Sequence, residues 1–99
     1  MAKYRFTNKA VEDLCATWKY TYKTWSEDQA DKYYEMLISF CQQLADKPIL
    51  GKPYKKIREH LFGFRASKHI IFYHIISKTE IAVIRILQER MDFKNRIRE

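Results

Sequence analysis

The 99-residue sequence predicts an α+β fold: an N-terminal strand, an antiparallel helical hairpin packed on an antiparallel sheet (β-α-α-β-β-β), and a short C-terminal helix or tail. Three observations predict it. Apolar residues recur at helical spacing from residue 8 to residue 47. Three runs of β-branched and aromatic residues follow between 61 and 87, and only two or three turn residues separate those runs. The length supports one core, so residues 1–99 are read as a single domain.

Lys3, Tyr4, Arg5 and Phe6 alternate charged and aromatic side chains, the pattern of an edge strand with its charges outward. From Asn8, the residues Val11, Leu14, Cys15, Trp18, Tyr22 and Trp25 mark the expected inward face of a first helix. Ser26 with Gln29 three positions on can cap a second helix, and Glu27 and Asp28 stand where the helix dipole favours negative charge. Its stripe is Ala30, Tyr33, Tyr34, Leu37, Phe40, Cys41 and Leu44, and Lys47-Pro48 stops it, because proline disfavours the helical region at the residue before it. Both cysteines lie on these stripes and read as core residues. Residues 48–59, with Gly51, Pro53 and four Lys or Arg, read as an exposed basic loop.

The runs 61–66, 69–76 and 80–87 then form a meander. In the middle run His69, Ile71, Tyr73 and Ile75 share one face, and Ile70, Phe72, His74 and Ile76 share the other. In the last, Ile81, Val83, Arg85 and Leu87 share a face, which sets an arginine in an apolar row. One hairpin covers one face of a sheet. The second face is therefore expected to receive either the tail from Gln88 onward or, the preferred reading, a partner chain.

Composition narrows the function. An apolar fraction of 46% with two Gly and two Pro excludes a disordered chain. Nothing approaches the roughly 20 apolar residues of a membrane span, the N-terminal residues lack a signal-peptide pattern, and two cysteines suit a reducing compartment, so a cytoplasmic protein is expected. The formal charge of +7 is uneven: residues 1–47 carry 7 Lys or Arg and 7 Asp or Glu, residues 48–99 carry 12 and 5. An acidic partner therefore suits the second half. No metal-ligand spacing and no phosphate-cradling glycine loop occurs, so neither metal nor cofactor is expected.

Lys52, Lys55, Lys56, Arg58, Arg65 and Lys68, interleaved with Tyr54 and Phe62, have the composition of a nucleic-acid surface. For metal-free RNA cleavage, Arg58, Arg65 and Arg85 are candidate cations, and His69 with Tyr73 is a candidate acid/base pair on one strand face, but a convincing base and acid are missing.

Specific words along this order resemble ParE-type toxins of type II toxin–antitoxin modules, in the wider RelE/ParE superfamily. They are Ala10-Val11-Glu12-Asp13-Leu14, Trp18, Tyr20-Thr21, Trp25, Gln29-Ala30, the stretch 45–52, Ile57-Arg58, His69-Ile70-Ile71-Phe72-Tyr73, Val83-Ile84-Arg85-Ile86-Leu87 and Arg90-Met91-Asp92. The resemblance spans residues 4–93. It implies a non-enzymatic protein that inhibits DNA gyrase by binding, is held inactive by a ParD-type antitoxin, and meets DNA only through that antitoxin. The alternative is the RelE-like ribosome-dependent endoribonuclease. Against it, Ile70 stands where that branch tends to place an arginine, and no tyrosine follows Phe93 in place of its C-terminal catalytic residue. The expected antitoxin contacts are Arg58, Arg65, Tyr73 and Arg85. The expected gyrase contacts are Lys19, Tyr20, Lys23, Arg85 and Arg90.

Overall fold

The computed structural model describes residues 2–98. Strand β1 (Lys3–Phe6) leads into helices α1 (Asn8–Thr24) and α2 (Glu27–Asp46). A 3₁₀ turn (Pro48–Leu50) and a two-residue strand β2 (Lys52–Pro53) precede the meander of β3 (Phe62–Ala66), β4 (His69–Ser77) and β5 (Glu80–Gln88), and a short helix α3 (Phe93–Arg98) closes the chain. The α+β architecture is the one expected. Two details differ: the sheet has five strands in the order β1-β5-β4-β3-β2, and β1 runs parallel to β5. β2 lies within the stretch read as loop, too short to carry a periodic signal.

Local chemistry sets the helix starts. Thr7 accepts the Ala10 amide at 3.1 Å while its hydroxyl donates to the Ile84 carbonyl at 2.8 Å, so one side chain caps α1 and ties it to β5. Ser26 accepts the Gln29 amide at 3.1 Å and starts α2 as expected. The α2 stripe packs as read at Ala30, Leu37, Cys41 and Leu44, all fully buried, whereas Tyr34 turns out to solvent.

Helix α1 is turned from the expected face by one position, about 100°. Its buried residues are Ala10 and Leu14, with Asp13, Thr17 and Thr21 half-buried on the same side. Val11, Cys15, Tyr22 and Trp25 are exposed, Trp25 at 72%. The cause is polar. Asp13 accepts Arg85 Nε at 2.8 Å and Nη2 at 3.1 Å, and its Oδ2 also takes the Ile86 amide at 3.0 Å. Those bonds require Asp13 to face the sheet edge beyond the end of β1, and Ala10, fully buried, fits where a larger side chain would hold helix and sheet apart.

A bulge corrects the last strand. Phe72 pairs with Arg85 but Tyr73 pairs with Val83, leaving Ile84 as the extra residue. Past it the alternation inverts. Ile86 joins Ile81 and Val83 under the helices, while Leu87 joins Ile70 and Phe72 on the opposite face. Arg85 therefore leaves the apolar row and reaches around the edge to Asp13.

The second sheet face is covered by the chain itself, which overturns the expectation of a partner there. Leu61, Ile70, Phe72, Leu87 and Ile97 form a second buried cluster, with Tyr54, Ile57, Ile84, Met91 and Phe93 around it. Phe93 packs edge-on against Phe72 at 5.1 Å. Asp92 caps α3 through Asn95, and two arginines hold its carbonyls: Arg58 Nη2 donates to Ile97 and Arg85 Nη1 to Arg96. Six residues with these anchors, in the tail that was the other expected cover, suffice.

Replacing Asp13 with Ala removes the carboxylate that Arg85 Nε, Arg85 Nη2 and the Ile86 amide bond to, in a largely buried position with side-chain exposures of 11% for Arg85 and 14% for Asp13. The expected loss is about 3 kcal/mol, or roughly 12–24 °C in Tm for a domain this size. Thermal unfolding followed by circular dichroism checks it, with the exposed Glu12→Ala as a control that leaves Tm nearly unchanged.

Candidate functional site

What α3 leaves open is a strip along β3. A groove of about 660 Å³ lies there, with Leu50, Phe64 and Ile70 as apolar lining and Lys52, Tyr54, Arg65, Glu89 and Arg90 around them. The 3₁₀ turn that carries Leu50 is pinned by Tyr73, whose hydroxyl donates to the Pro48 carbonyl and accepts the Gly51 amide at 3.0 Å. A Cβ at Gly51 would overlap that hydroxyl, so glycine is required for the approach. Gly63 plays the same part for Tyr54, whose ring occupies the space a methyl group would need. Tyr54 packs edge-on against Phe72 at 5.1 Å and carries the Lys52 ammonium 5.4 Å above its ring.

The groove is cationic. Glu89 is its one lining carboxylate, and it pairs with Arg65 at 2.5 Å, which leaves the charges of Lys52 and Arg90 uncompensated within the lining. β2 pairs only with Gly63 and Phe62, so the outer edge of β3 from Phe64 to Ala66 has no strand neighbour among the described residues. An extended, acidic polypeptide suits both features: backbone bonding at an open edge and charge beside it.

The expected site residues separate into three groups. Arg65 and Arg90 meet at the groove. Lys19, Tyr20 and Lys23 are exposed on the hairpin, on the other side of the molecule's helical layer. Tyr73 and Arg85 are engaged internally, Tyr73 with no exposed surface and Arg85 9% exposed and tied to Asp13, while Arg58 is exposed and donates to the Ile97 carbonyl of α3. Tyr73 therefore shapes the groove through the 3₁₀ turn and offers a partner no contact surface. Sequence reasoning missed Glu89 and the role of Asp13, which sits 72 positions from its arginine.

His69 also has a different neighbour from the one expected. Its Nδ1 lies 2.6 Å from the Tyr33 hydroxyl and its Nε2 3.4 Å from Thr17, while Tyr73 bonds to Pro48 and Gly51. At 7% exposure, His69 is directed to the helices, away from the groove. Burial lowers its pKa from the ordinary 6.5 although Asp13 and Glu89 pull the other way, and burial raises that of Tyr33. The imidazole is thus held between two hydroxyls, one at each ring nitrogen. The pKa of His74, on the second face, is pushed down by burial and by the nearby Arg58 and His60, and its Nε2 is buried without a hydrogen-bond partner among the described residues.

Among the described residues, no three His, Cys, Asp or Glu side chains gather as metal ligands, and no helix is long and apolar enough to cross a membrane. Residues 4–93 match the family described as ParE toxin of type II toxin–antitoxin system, parDE. The chain belongs to the ParE toxin family. It is 31% identical over 91 residues to Toxin ParE1 of Mycobacterium tuberculosis (strain CDC 1551 / Oshkosh), covering 92% of this chain and 93% of that protein. Toxin ParE1 of Caulobacter vibrioides is 29% identical over 92 residues, covering 93% and 94%. Two solved structures share the fold. A chain of the chromosomal ParDE system from P. aeruginosa superposes with a TM-score of 0.75 at 17% identity, covering 89% of this chain and 96% of that one. A chain of the toxin–antitoxin complex RelBE2 from Mycobacterium tuberculosis gives 0.65 at 22%, covering 89% and 98%. The RelE/ParE fold and a toxin of a toxin–antitoxin system are thus the frame for this chain.

Because His69 and His74 bind protons less readily folded than unfolded, the unfolded chain protonates first as pH falls. Stability is full above the ordinary imidazole pKa of 6.5 and is lost as pH drops below it. Tm measured from pH 7.5 to 5.5 should fall, and less steeply in His74→Gln. Parallel curves for wild type and variant would remove His74 from that account.

Proposed function

We propose that this ParE-family toxin acts by binding DNA gyrase, in the cytoplasm and without chemistry of its own, and that a ParD-type antitoxin neutralises it. DNA contact in this reading comes only through the antitoxin. The observation that carries it is the groove: a cationic, apolar-floored strip beside an open strand edge, in a chain matched to the ParE family over residues 4–93. An acidic antitoxin segment seated there gains apolar burial at about 25 cal/mol per Å² before ordering costs, with its register set by the β3 edge. Lys52 and Arg90, the cations that Glu89 leaves uncompensated, are its principal charge contacts, with Arg65 beside them. Lys19, Tyr20 and Lys23 are the exposed residues left for gyrase.

The endoribonuclease reading rests on the His69–Tyr33 bond and on the RelBE2 likeness, which is one of fold. Against it, Glu89 at the groove is paired with Arg65 and His69 is buried toward the helices, which leaves Tyr54, packed on Phe72, and Lys52 as the other proton-bearing side chains of the lining.

Purified protein assayed for gyrase supercoiling beside primer extension on translated messages separates the two. Inhibition without new RNA ends is expected; new ends without inhibition would transfer the function to RNA cleavage. In the same preparation, Lys52→Glu with Arg90→Glu should weaken binding of a ParD-type antitoxin at least about ten-fold, with Tm little changed. Unaltered affinity would move the antitoxin off the groove.

A further inference from the structure

At the β3 groove one arginine is already met by a carboxylate of the chain itself. Arg65 of β3 pairs across the sheet with Ile70 of β4, Ile70 pairs with Leu87 of β5, and Glu89 follows just past the end of β5. The bridge from Arg65 Nη2 to Glu89 Oε2, 2.5 Å long, therefore crosses the start of β4 beside Ile70, which lines the groove. Both ends are anchored through backbone groups. Arg65 Nε donates to the Ser67 carbonyl at 3.2 Å, and the Glu89 amide donates to the Lys68 carbonyl at 3.0 Å.

Little holds the carboxylate where it is. Among the described residues one Glu89 oxygen meets one guanidinium nitrogen, short of the two parallel bonds that an arginine and a carboxylate can form. The side chains are 68% and 29% exposed, and a pair this open to water contributes little beyond what water supplies to each partner. The bond from Nε to Ser67, in contrast, keeps the guanidinium in place whichever carboxylate faces it. Arg65 is thus pre-positioned for an exchange of carboxylates.

We propose that Glu89 is an internal competitor for the acidic segment that the groove takes: it occupies Arg65 in the free protein and yields it to a segment that sets its own carboxylate beside Ile70. This rests on the reading of the groove under Proposed function and adds the residue that sets its specificity. Lys52 and Arg90 attract any acidic chain. Arg65 rewards only one whose acid lies at the right position, and a chain without that acid leaves Glu89 where it is and gains nothing from the third cation.

Two capped eight-residue peptides are the probes, one alternating valine with aspartate and one alternating valine with asparagine. Binding to the full chain is followed by fluorescence polarisation. The aspartate peptide should bind more tightly than the asparagine peptide, and Lys52→Glu with Arg90→Glu should weaken it at least about ten-fold, which establishes the groove as its site. Glu89→Gln should then tighten the aspartate peptide about five-fold, leave the asparagine peptide within about two-fold, and change Tm little because the pair is exposed. In an Arg65→Gln chain the same change should gain no more than about two-fold, since no bridge is left to break. Equal gains with and without Arg65 would make Glu89 a source of repulsion alone and overturn the proposal while the groove reading stands. Indifference of the aspartate peptide to Glu89→Gln would do the same. An aspartate peptide that binds no better than the asparagine peptide, or that ignores Lys52→Glu with Arg90→Glu, would overturn the groove reading and the proposal with it.

Discussion

The bond between Asp13 and Arg85 constrains more of this structure than any other contact. A carboxylate taken mostly out of water must be met by cations and donors on each oxygen, and here two guanidinium nitrogens and the Ile86 amide meet it. That requirement fixes the rotation of α1 about its axis. It also closes the edge of β5 where β1 ends and, through the bond from Arg85 to the Arg96 carbonyl, holds α3 against the sheet. One pair thus connects the first helix, the last strand and the last helix.

Two surfaces follow from that arrangement. With α3 seated, the second sheet face shrinks from an open hollow to the strip along β3, cationic and edged by an unpaired strand. With α1 turned, the hairpin presents a cleft lined by Leu14, Cys15, Trp18 and Tyr34 with Lys19 and Asp31 beside them. The net charge of +7 conceals this division, since the helical hairpin is acidic and the rest of the chain strongly basic. The two parts of the molecule therefore differ in charge, and that difference acts within a Debye length, about 8 Å at physiological salt.

The fold was legible where local physics decides. Ser26 and Gln29, Lys47-Pro48 and the alternating faces of His69 to Ile76 each carry their signal within a few residues, and each element appears where those signals place it. Arg65 was legible as an exposed cation near aromatics, a compositional signal, whereas Arg90, expected as a gyrase contact, is brought to the same groove by the fold. Tyr73 misled, since a tyrosine on a strand reads the same whether its hydroxyl faces a partner or, as here, bonds to Pro48 and Gly51 inside the molecule. The bulge at Ile84 was equally hidden: one extra residue inverts the alternation, and nothing in the run from Ile81 to Leu87 marks where it falls.

The sequence by itself determined the order of elements, the hairpin, the α2 stripe and the basic character of the second half, because periodicity, capping and charge are properties of neighbouring residues. Only the tertiary structure decided which face of α1 turns inward, what covers the second sheet face, and which arginines remain available to a partner. Helical spacing shows that an apolar stripe exists. It cannot show that Asp13 and Arg85, 72 positions apart, will claim the inward face for a charge pair and send the stripe to water.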